Sequence, residues 1–324
     1  MKENDLLNIK NLHVHYIKED ETVKAVNGIN ISLKKGESIG IVGETGAGKT
    51  TMALSIMGLI PYPPGIIVDG EIYYEGKNII NSDKKEYQNI RGKGISMIFQ
   101  DPMTALNPTM TIEKQLMEVL DSHEKNMSKN EKRKTVIEVL EMVGVQRDRL
   151  KEYPHQFSGG MKQRVVIAMS LLLKPKILIA DEPTTALDVT IQAQVLDIIN
   201  SLKEKFNMSL ILITHDLGIV AEICDRIFIV YAGEVVESGN VKDVYLNTKH
   251  PYTKGLFNSI PRLDIDNERL TPIEGDMVNP ANLPSGCYFH PRCVYKKDIC
   301  INKKPKFTGV NHGYSCHFSF NNGE

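Results

Sequence analysis

Residues 43–51 read Gly-Glu-Thr-Gly-Ala-Gly-Lys-Thr-Thr. This stretch fits G-x-x-x-x-G-K-[ST] at each fixed position, Gly43, Gly48, Lys49 and Thr50. The apolar run Ile39-Gly40-Ile41-Val42 ahead of it reads as a strand. Behind it Met52, Ile56 and Leu59 recur at helical spacing, with Gly58 and Pro61 marking the stop. A strand, a tight turn and a helix are the context in which such a loop cradles phosphate. Its N–H groups must turn inward at phosphate oxygens, which needs positive φ and no Cβ in the way. Lys49 then supplies a point charge at the β- and γ-phosphates, and the Thr50 hydroxyl is a Mg²⁺ ligand. The helix that starts at Lys49 adds its positive dipole end. Glu44, Thr45, Gly46, Ala47 and Thr51 complete the expected nucleotide-binding stretch.

Composition sets the outer limits. A chain of 324 residues has room for about two domains. With 41% hydrophobic and 24% charged residues it reads as globular and water-soluble. Lys plus Arg number 39 against 40 for Asp plus Glu, so no whole-protein field points to nucleic acid. No apolar run approaches the ~18 residues needed to span a bilayer. The start, Met1-Lys2-Glu3-Asn4-Asp5, is polar, with no apolar segment of an export signal behind it. Any membrane role is therefore expected to be peripheral. Of five cysteines, four lie at 287, 293, 300 and 316. Without an export signal such a group points to metal rather than disulfides.

Along the chain, Leu6, Ile9, Leu12, Val14 and Tyr16 alternate as a strand, and a second strand runs from about Val23 to Leu33 with a turn at Asn27-Gly28. Residues 61–67 read as Pro/Gly-rich loop, and 70–75 as a short strand. Ile95–Phe99 is an apolar strand ending on Gln100-Asp101-Pro102. From about 110 to 175 the pattern is helical and more polar. Ile177–Ala180, Leu210–Ile213 and Ile227–Val230 are buried strands interleaved with helices, which predicts an α/β domain with a mainly parallel sheet ending near 250. Residues 251–286 read as Pro-rich and irregular.

Two further stretches carry chemistry. Asp181, at the tip of a buried strand, can reach Mg²⁺ through water, and Glu182 beside it can orient or deprotonate an attacking water. In Phe157-Ser158-Gly159-Gly160-Met161, Ser158 is a natural N-cap and the two glycines leave a helix N-terminus bare, which makes a second anion site. One domain does not need two such sites for one nucleotide. The economical reading is that this one closes over the γ-phosphate held by a partner's loop.

In order, the chain carries Gly43–Thr50, Gln100, Ser158-Gly159-Gly160, Asp181-Glu182, Ala186-Leu187-Asp188 and His215. This series resembles the ATP-binding subunits of ABC transporters over roughly residues 5–245. The resemblance implies a P-loop NTPase fold of ABC type, with a helical subdomain at about 105–175 inside an ATP-binding domain spanning 1–250. It further implies that Tyr16 stacks on adenine and that Gln100 senses Mg²⁺ or water and couples to membrane subunits. Asp188 would lie at a dimer seam and His215 would contact the γ-phosphate. Met161 stands where the family has Gln, and cannot complete a capping box with Ser158. Phe157–Arg164, Pro102–Pro108, His250-Pro251-Tyr252-Thr253 and the cysteine tail resemble the dipeptide/oligopeptide-importer branch.

The tail spaces its thiols as Cys287-x5-Cys293-x6-Cys300-x15-Cys316. Four thiolates suit zinc or a [4Fe–4S] cluster, and His290, His312 and His317 nearby keep mixed ligation open. The importer resemblance favours [4Fe–4S] over zinc in a small irregular extension at 251–324. Cys224 reads as a small core residue.

These expectations converge on the ATP-hydrolysing subunit of a peptide importer, at the cytoplasmic face of the membrane, with Glu182 as general base. A second ATPase subunit, two membrane permeases and, through them, an extracytoplasmic binding protein are the implied partners. A soluble ABC ATPase acting on DNA or ribosomes would show a duplicated cassette, a long coiled-coil insertion or a basic patch, and none is present. An iron–sulfur assembly ATPase is the other rival raised by the cysteines.

Overall fold

The computed structural model describes residues 5–185, 187–259 and 272–318. In chain order its elements begin with β1 (Asp5–Ile17), β2 (Thr22–Lys34), β3 (Ser38–Val42), α1 (Lys49–Ile56), β4 (Gly65–Tyr74) and β5 (Lys77–Asn78). Next come α2 (Lys84–Ile90), β6 (Ile95–Ile98), α3 (Pro102–Ala105), α4 (Ile112–His123), α5 (Lys129–Met142), α6 (Gly159–Leu171), β7 (Ile177–Asp181) and α7 (Val189–Phe206). The remainder are β8 (Ser209–Thr214), α8 (Leu217–Ile223), β9 (Arg226–Tyr231), β10 (Glu234–Asn240), α9 (Val241–Leu246), α10 (Pro251–Asn258), α11 (Asp298–Asn302) and β11 (His312–Tyr314). The chain divides into two compact units. The first takes Met1–Lys34, Ser38–Asn81 and Ile213–Glu324, and the second Lys35–Glu37 and Ser82–Leu212.

In the first unit β1 lies between β2 and β4 in an antiparallel sheet of order β2-β1-β4-β5. Ile9 faces Ile31 on one side and Ile72 on the other, and all three are buried. A second set of strands runs β11-β10-β9-β3, with β3 parallel to β9 and the other pairs antiparallel. All five residues of β3 are buried, as the strand that delivers the phosphate-binding loop must be to hold it still. Each fully buried Ile or Val there contributes roughly 1.5–3 kcal/mol.

The second unit is mostly helical around the parallel pair β6–β7, with β8 next to β7. Leu116 and Leu120 of α4, Val136 and Leu140 of α5, and Val165, Ala168 and Leu171 of α6 form its core at helical spacing. Ser128 starts α5 with a capping box to Glu131, and Asp188 caps α7 through Ile191 N at 3.0 Å.

Four features depart from the sequence reading. The sheet is not mainly parallel, because half of the first unit's strands form the antiparallel set. Asn27-Gly28 does not reverse the chain: β2 runs straight through it. Leu12 pairs with Ile29 and His13 with Asn27, which leaves Gly28 as the extra residue of a bulge at φ +92°. The strand read at 70–75 starts earlier, at Gly65, and takes in part of the presumed loop. Finally, α10 occupies the stretch read as irregular. Its signal was a proline at the first helical turn behind His250, whose Nδ1 accepts from Tyr252 N at 3.1 Å. Ala186, Pro102 and Met103 side chains, and Phe320 of the tail, lie outside the described residues.

Candidate active site

The phosphate-binding loop turns between β3 and α1. Gly43 is packed so closely that a Cβ would meet Val230 O at 2.2 Å, and at Gly48 (φ +98°) one would meet Ala25 O at 2.2 Å. Gly46, at φ +83°, instead faces open space. Two of the glycines are thus fixed by backbone approach and the third by φ alone. No side chain caps the N-terminus of α1, and N–H groups at a helix start suit an anion. Lys49 is 5% exposed and donates from Nζ to Gly43 O at 2.7 Å and Glu44 O at 3.0 Å. Thr45, Gly46 and Thr50 are exposed. Not every loop N–H turns inward: Glu44 N donates to Tyr252 Oη at 3.0 Å, and Ala47 N to Glu44 O at 3.2 Å. Tyr16, at the end of β1, reaches the loop through its hydroxyl, 3.3 Å from Thr51 Oγ1.

His215, also in the first unit, directly follows β8 and is exposed rather than buried. Asp216 beside it caps α8 by accepting from Gly218 N at 2.8 Å. Cys224 is buried where α8 ends, as a core residue should be.

In the second unit β7 buries all five of its residues and ends in Asp181, 2% exposed. Glu182 follows at φ +45°, a conformation that costs a non-glycine residue roughly 1 kcal/mol or more and clusters at functional sites. Its carboxylate Oε2 accepts from Gln100 Nε2 at 3.0 Å and from Thr185 Oγ1 at 3.0 Å. These two donors aim the carboxylate. Ser158 caps α6, its Oγ accepting from Met161 N at 3.4 Å, and Ser158 and Gly159 are exposed. Met161 makes no reciprocal cap. Its sulfur instead lies 3.5 Å from Arg149 Nη1. A Cβ on Gly160 would meet Ile191 Cγ2 at 2.6 Å, so that glycine lets α6 approach α7 closely.

Sequence reasoning missed several residues. Gln163, 1% exposed, donates to Pro183 O at 2.6 Å and ties α6 to the turn after Glu182. Thr185 orients Glu182. Tyr252 and Arg292 both hold Glu44, and Arg292 does so with a two-pronged ion pair at 2.7 and 3.1 Å. The only signal for the last two was their place in the motifs that resemble the importer branch.

The metal expectation is overturned. Among the described residues no group of three or more Cys, His, Asp or Glu side chains is disposed to hold a metal ion, so neither the [4Fe–4S] cluster nor zinc at Cys287, Cys293, Cys300 and Cys316 is supported. The four cysteines are free and line one cavity of about 40 Å³ with Phe289 and Phe318 among its walls. Burial pushes the Cys287 thiol up to about 11 and raises Cys293 and Cys316. Count and spacing brought the thiols together correctly but carry no information on ligand geometry. The extension is held by other means. Cys287 N donates to Cys300 O at 2.8 Å, Ser315 N to Val236 O at 2.8 Å, β11 pairs with β10, and Lys304 pairs with Glu234.

Comparison with known proteins places this geometry among relatives. A family described as "ABC transporter" matches residues 26–185, and one described as "Oligopeptide/dipeptide transporter, C-terminal region" matches 236–300. The chain is 50% identical to the oligopeptide transport ATP-binding protein AppD of Bacillus subtilis over 310 residues, covering 95% of this chain and 94% of that one. It is 51% identical to the dipeptide transport ATP-binding protein DppD of the same organism over 315 residues, covering 96% and 94%. Among solved structures, a dimeric ATP-binding cassette in a post-hydrolysis state bound to ADP and Pi aligns with a TM-score of 0.65 at 29% identity. That alignment covers 72% of this chain and 98% of the other.

Proposed function

Because this chain belongs to the ATP-binding subunits of oligopeptide and dipeptide ABC transporters, we propose that Glu182, aimed by Gln100 and Thr185, is the general base of an ATP hydrolysis that drives peptide import. The protein is the ATPase motor of a peptide ABC importer. One observation carries the assignment of the base: a carboxylate held by two donors at 3.0 Å, directly after the buried strand that ends in Asp181.

ATP is the substrate. Lys49 and the N–H groups at the start of α1 bind its β- and γ-phosphates, and Tyr16 stacks on the adenine. Thr50, and separately Gln100 and Asp181, carry oxygen donors of the hard type that Mg²⁺ takes, and the ion, when bound, would neutralise charge building on the phosphates. His215 contacts the γ-phosphate. Glu182 accepts the proton of the attacking water while its two donors keep it oriented.

Ser158, Gly159 and Gly160 face a second ATPase subunit and close over the nucleotide in that subunit's loop, with Asp188 at the seam. The exposure of Ser158 and Gly159 supports this reading. That second subunit is a related chain or a second copy of this one, the related chain being the reading we favour. Two permeases carry the peptide across the membrane after an extracytoplasmic binding protein delivers it. No described helix is long and apolar enough to cross a membrane; the peripheral place at the cytoplasmic face is part of the proposal and follows from the permease partners. We divide the chain at residue 250 into the ATP-binding body, with its helical subdomain at 105–175, and the C-terminal extension.

The test is reconstitution. The full chain, with partner ATPase, permeases and binding protein in proteoliposomes, accumulates peptide only when ATP is supplied on the ATPase side. Equal accumulation without ATP, or with Lys49→Ala in place of the native chain, contradicts the assignment.

A further inference from the structure

Glu44, the second residue of the phosphate-binding loop, is held at every polar group it has. Its N–H donates to the Tyr252 hydroxyl at 3.0 Å. Its carbonyl accepts from Lys49 Nζ at 3.0 Å and Ala47 N at 3.2 Å. Its carboxylate takes the fork of Arg292, Nη1 at 2.7 Å and Nη2 at 3.1 Å. Arg292 comes from the C-terminal extension and its side chain is only 5% exposed, against 30% for that of Glu44. The guanidinium is itself fixed from behind, where it donates to Glu274 O at 3.1 Å and Ile273 O at 3.3 Å. Tyr252 is fixed as well: it is fully buried and packs edge-on against Tyr231 at 4.7 Å and beside Phe289 at 5.4 Å.

This arrangement answers two physical problems. A loop with three glycines has much conformational freedom to lose on binding, and anchoring Glu44 at both backbone and side chain removes part of that cost beforehand. In addition, a carboxylate in a loop that receives a polyphosphate would repel its ligand. A buried, bidentate guanidinium cancels that charge where solvent screens it little. Burial works against the Arg292 charge, yet the bonds to Glu44 and Tyr231 hold its pKa above the ordinary value, so it stays cationic.

We propose that Arg292 is a positioning residue for the phosphate-binding loop, so that the C-terminal extension is a working part of the nucleotide site. The inference rests on the ATPase reading above. It assigns Arg292 no contact with the nucleotide. The residue acts through Glu44 by fixing the loop and neutralising its carboxylate.

The experiment measures equilibrium binding of Mg²⁺ with a non-hydrolysable ATP analogue by calorimetry, and KM and kcat for ATP, on the full chain. Arg292→Ala is expected to raise the Kd and KM about tenfold, with kcat changed less than about threefold. Adding Glu44→Gln to Arg292→Ala removes the exposed charge but leaves the anchoring lost, and should recover part, not all, of that tenfold loss. A merely structural staple would not show that rescue. Arg292→Lys keeps the charge but loses the fork, and is expected to fall between the two. It also serves as the test should Arg292→Ala not fold. A Kd for Arg292→Ala or Arg292→Lys within twofold of native overturns the proposal, as does a Kd equally weak with and without Glu44→Gln. Failure of the native chain to bind the analogue at all sinks the ATPase reading instead, so the two failures are told apart.

Discussion

Gln100 donates its side-chain amide to the Glu182 carboxylate at 3.0 Å. The pair joins the segment after β6 to the residue after β7, two strands that run parallel side by side. Strand ends, rather than a loop of free length, therefore set the distance. Glu182 has the uncommon φ of +45°, and Thr185 donates to the same carboxylate oxygen, Oε2, as Gln100 does.

Replacing Gln100 by Glu sets two carboxylates about where one hydrogen bond now lies. Such a pair resists double ionisation, which raises the proton affinity of the site as a whole. At neutral pH kcat is expected to fall at least about tenfold, and the acid limb of the kcat–pH profile to move to higher pH. A profile that superposes on the native one contradicts the coupling of Gln100 to Glu182.

Ser158→Ala removes the N-cap of α6, a loss worth ~1 kcal/mol, so the melting temperature should drop by only a few degrees. Turnover should fall much further, about tenfold or more, because the same hydroxyl is proposed to meet the partner's nucleotide. Native turnover per molecule should also rise with protein concentration or on adding the partner ATPase. Turnover that stays flat over a hundredfold dilution of a proven monomer contradicts the shared site.

Much of this was legible in residue order. The loop at 43–51, the strand ending in Asp181 and the helix after Ser158 are short-range patterns, and each element fell where its periodicity put it. What sequence could not supply was contact between distant segments. Nothing local to Arg292 points to Glu44, 248 positions away, and nothing local to Gln163 points to Pro183. The Asn27-Gly28 pair misled because the same left-handed glycine that closes a hairpin also makes a bulge, and only the partner strand decides which. The cysteine tail misled in another way: the thiols do converge on one small cavity, but among the described residues they are not disposed as a ligand set, and spacing along the chain carries no information on that geometry.

His250 gives the pH dependence a definite sign. It is 1% exposed, and burial lowers its pKa to about 3 from 6.5, against a smaller opposing effect of the Ser315 carbonyl. Between pH 6.5 and about 3 the unfolded chain binds a proton there and the folded chain does not. Stability is therefore lost as pH falls through that window, by up to about 1.4 kcal/mol per pH unit from this residue. His250→Asn keeps a capping side chain for α10 but does not titrate there. Its melting temperature should be lower than native at pH 7.5, yet fall less steeply from pH 6.5 to 4. An equal slope for both proteins contradicts the role given to His250.

The most direct test of the account is ATP turnover by the full chain with its partner ATPase, native against Glu182→Gln, with nucleotide affinity measured on the same samples. The change keeps shape and hydrogen bonding while removing the carboxylate that receives the proton. Turnover is expected to fall on the order of 10²–10⁴-fold with ATP affinity within about threefold of native, whereas Lys49→Ala should weaken affinity itself. Near-native turnover in the Glu182→Gln protein, or native turnover no higher than that of Lys49→Ala, would contradict it.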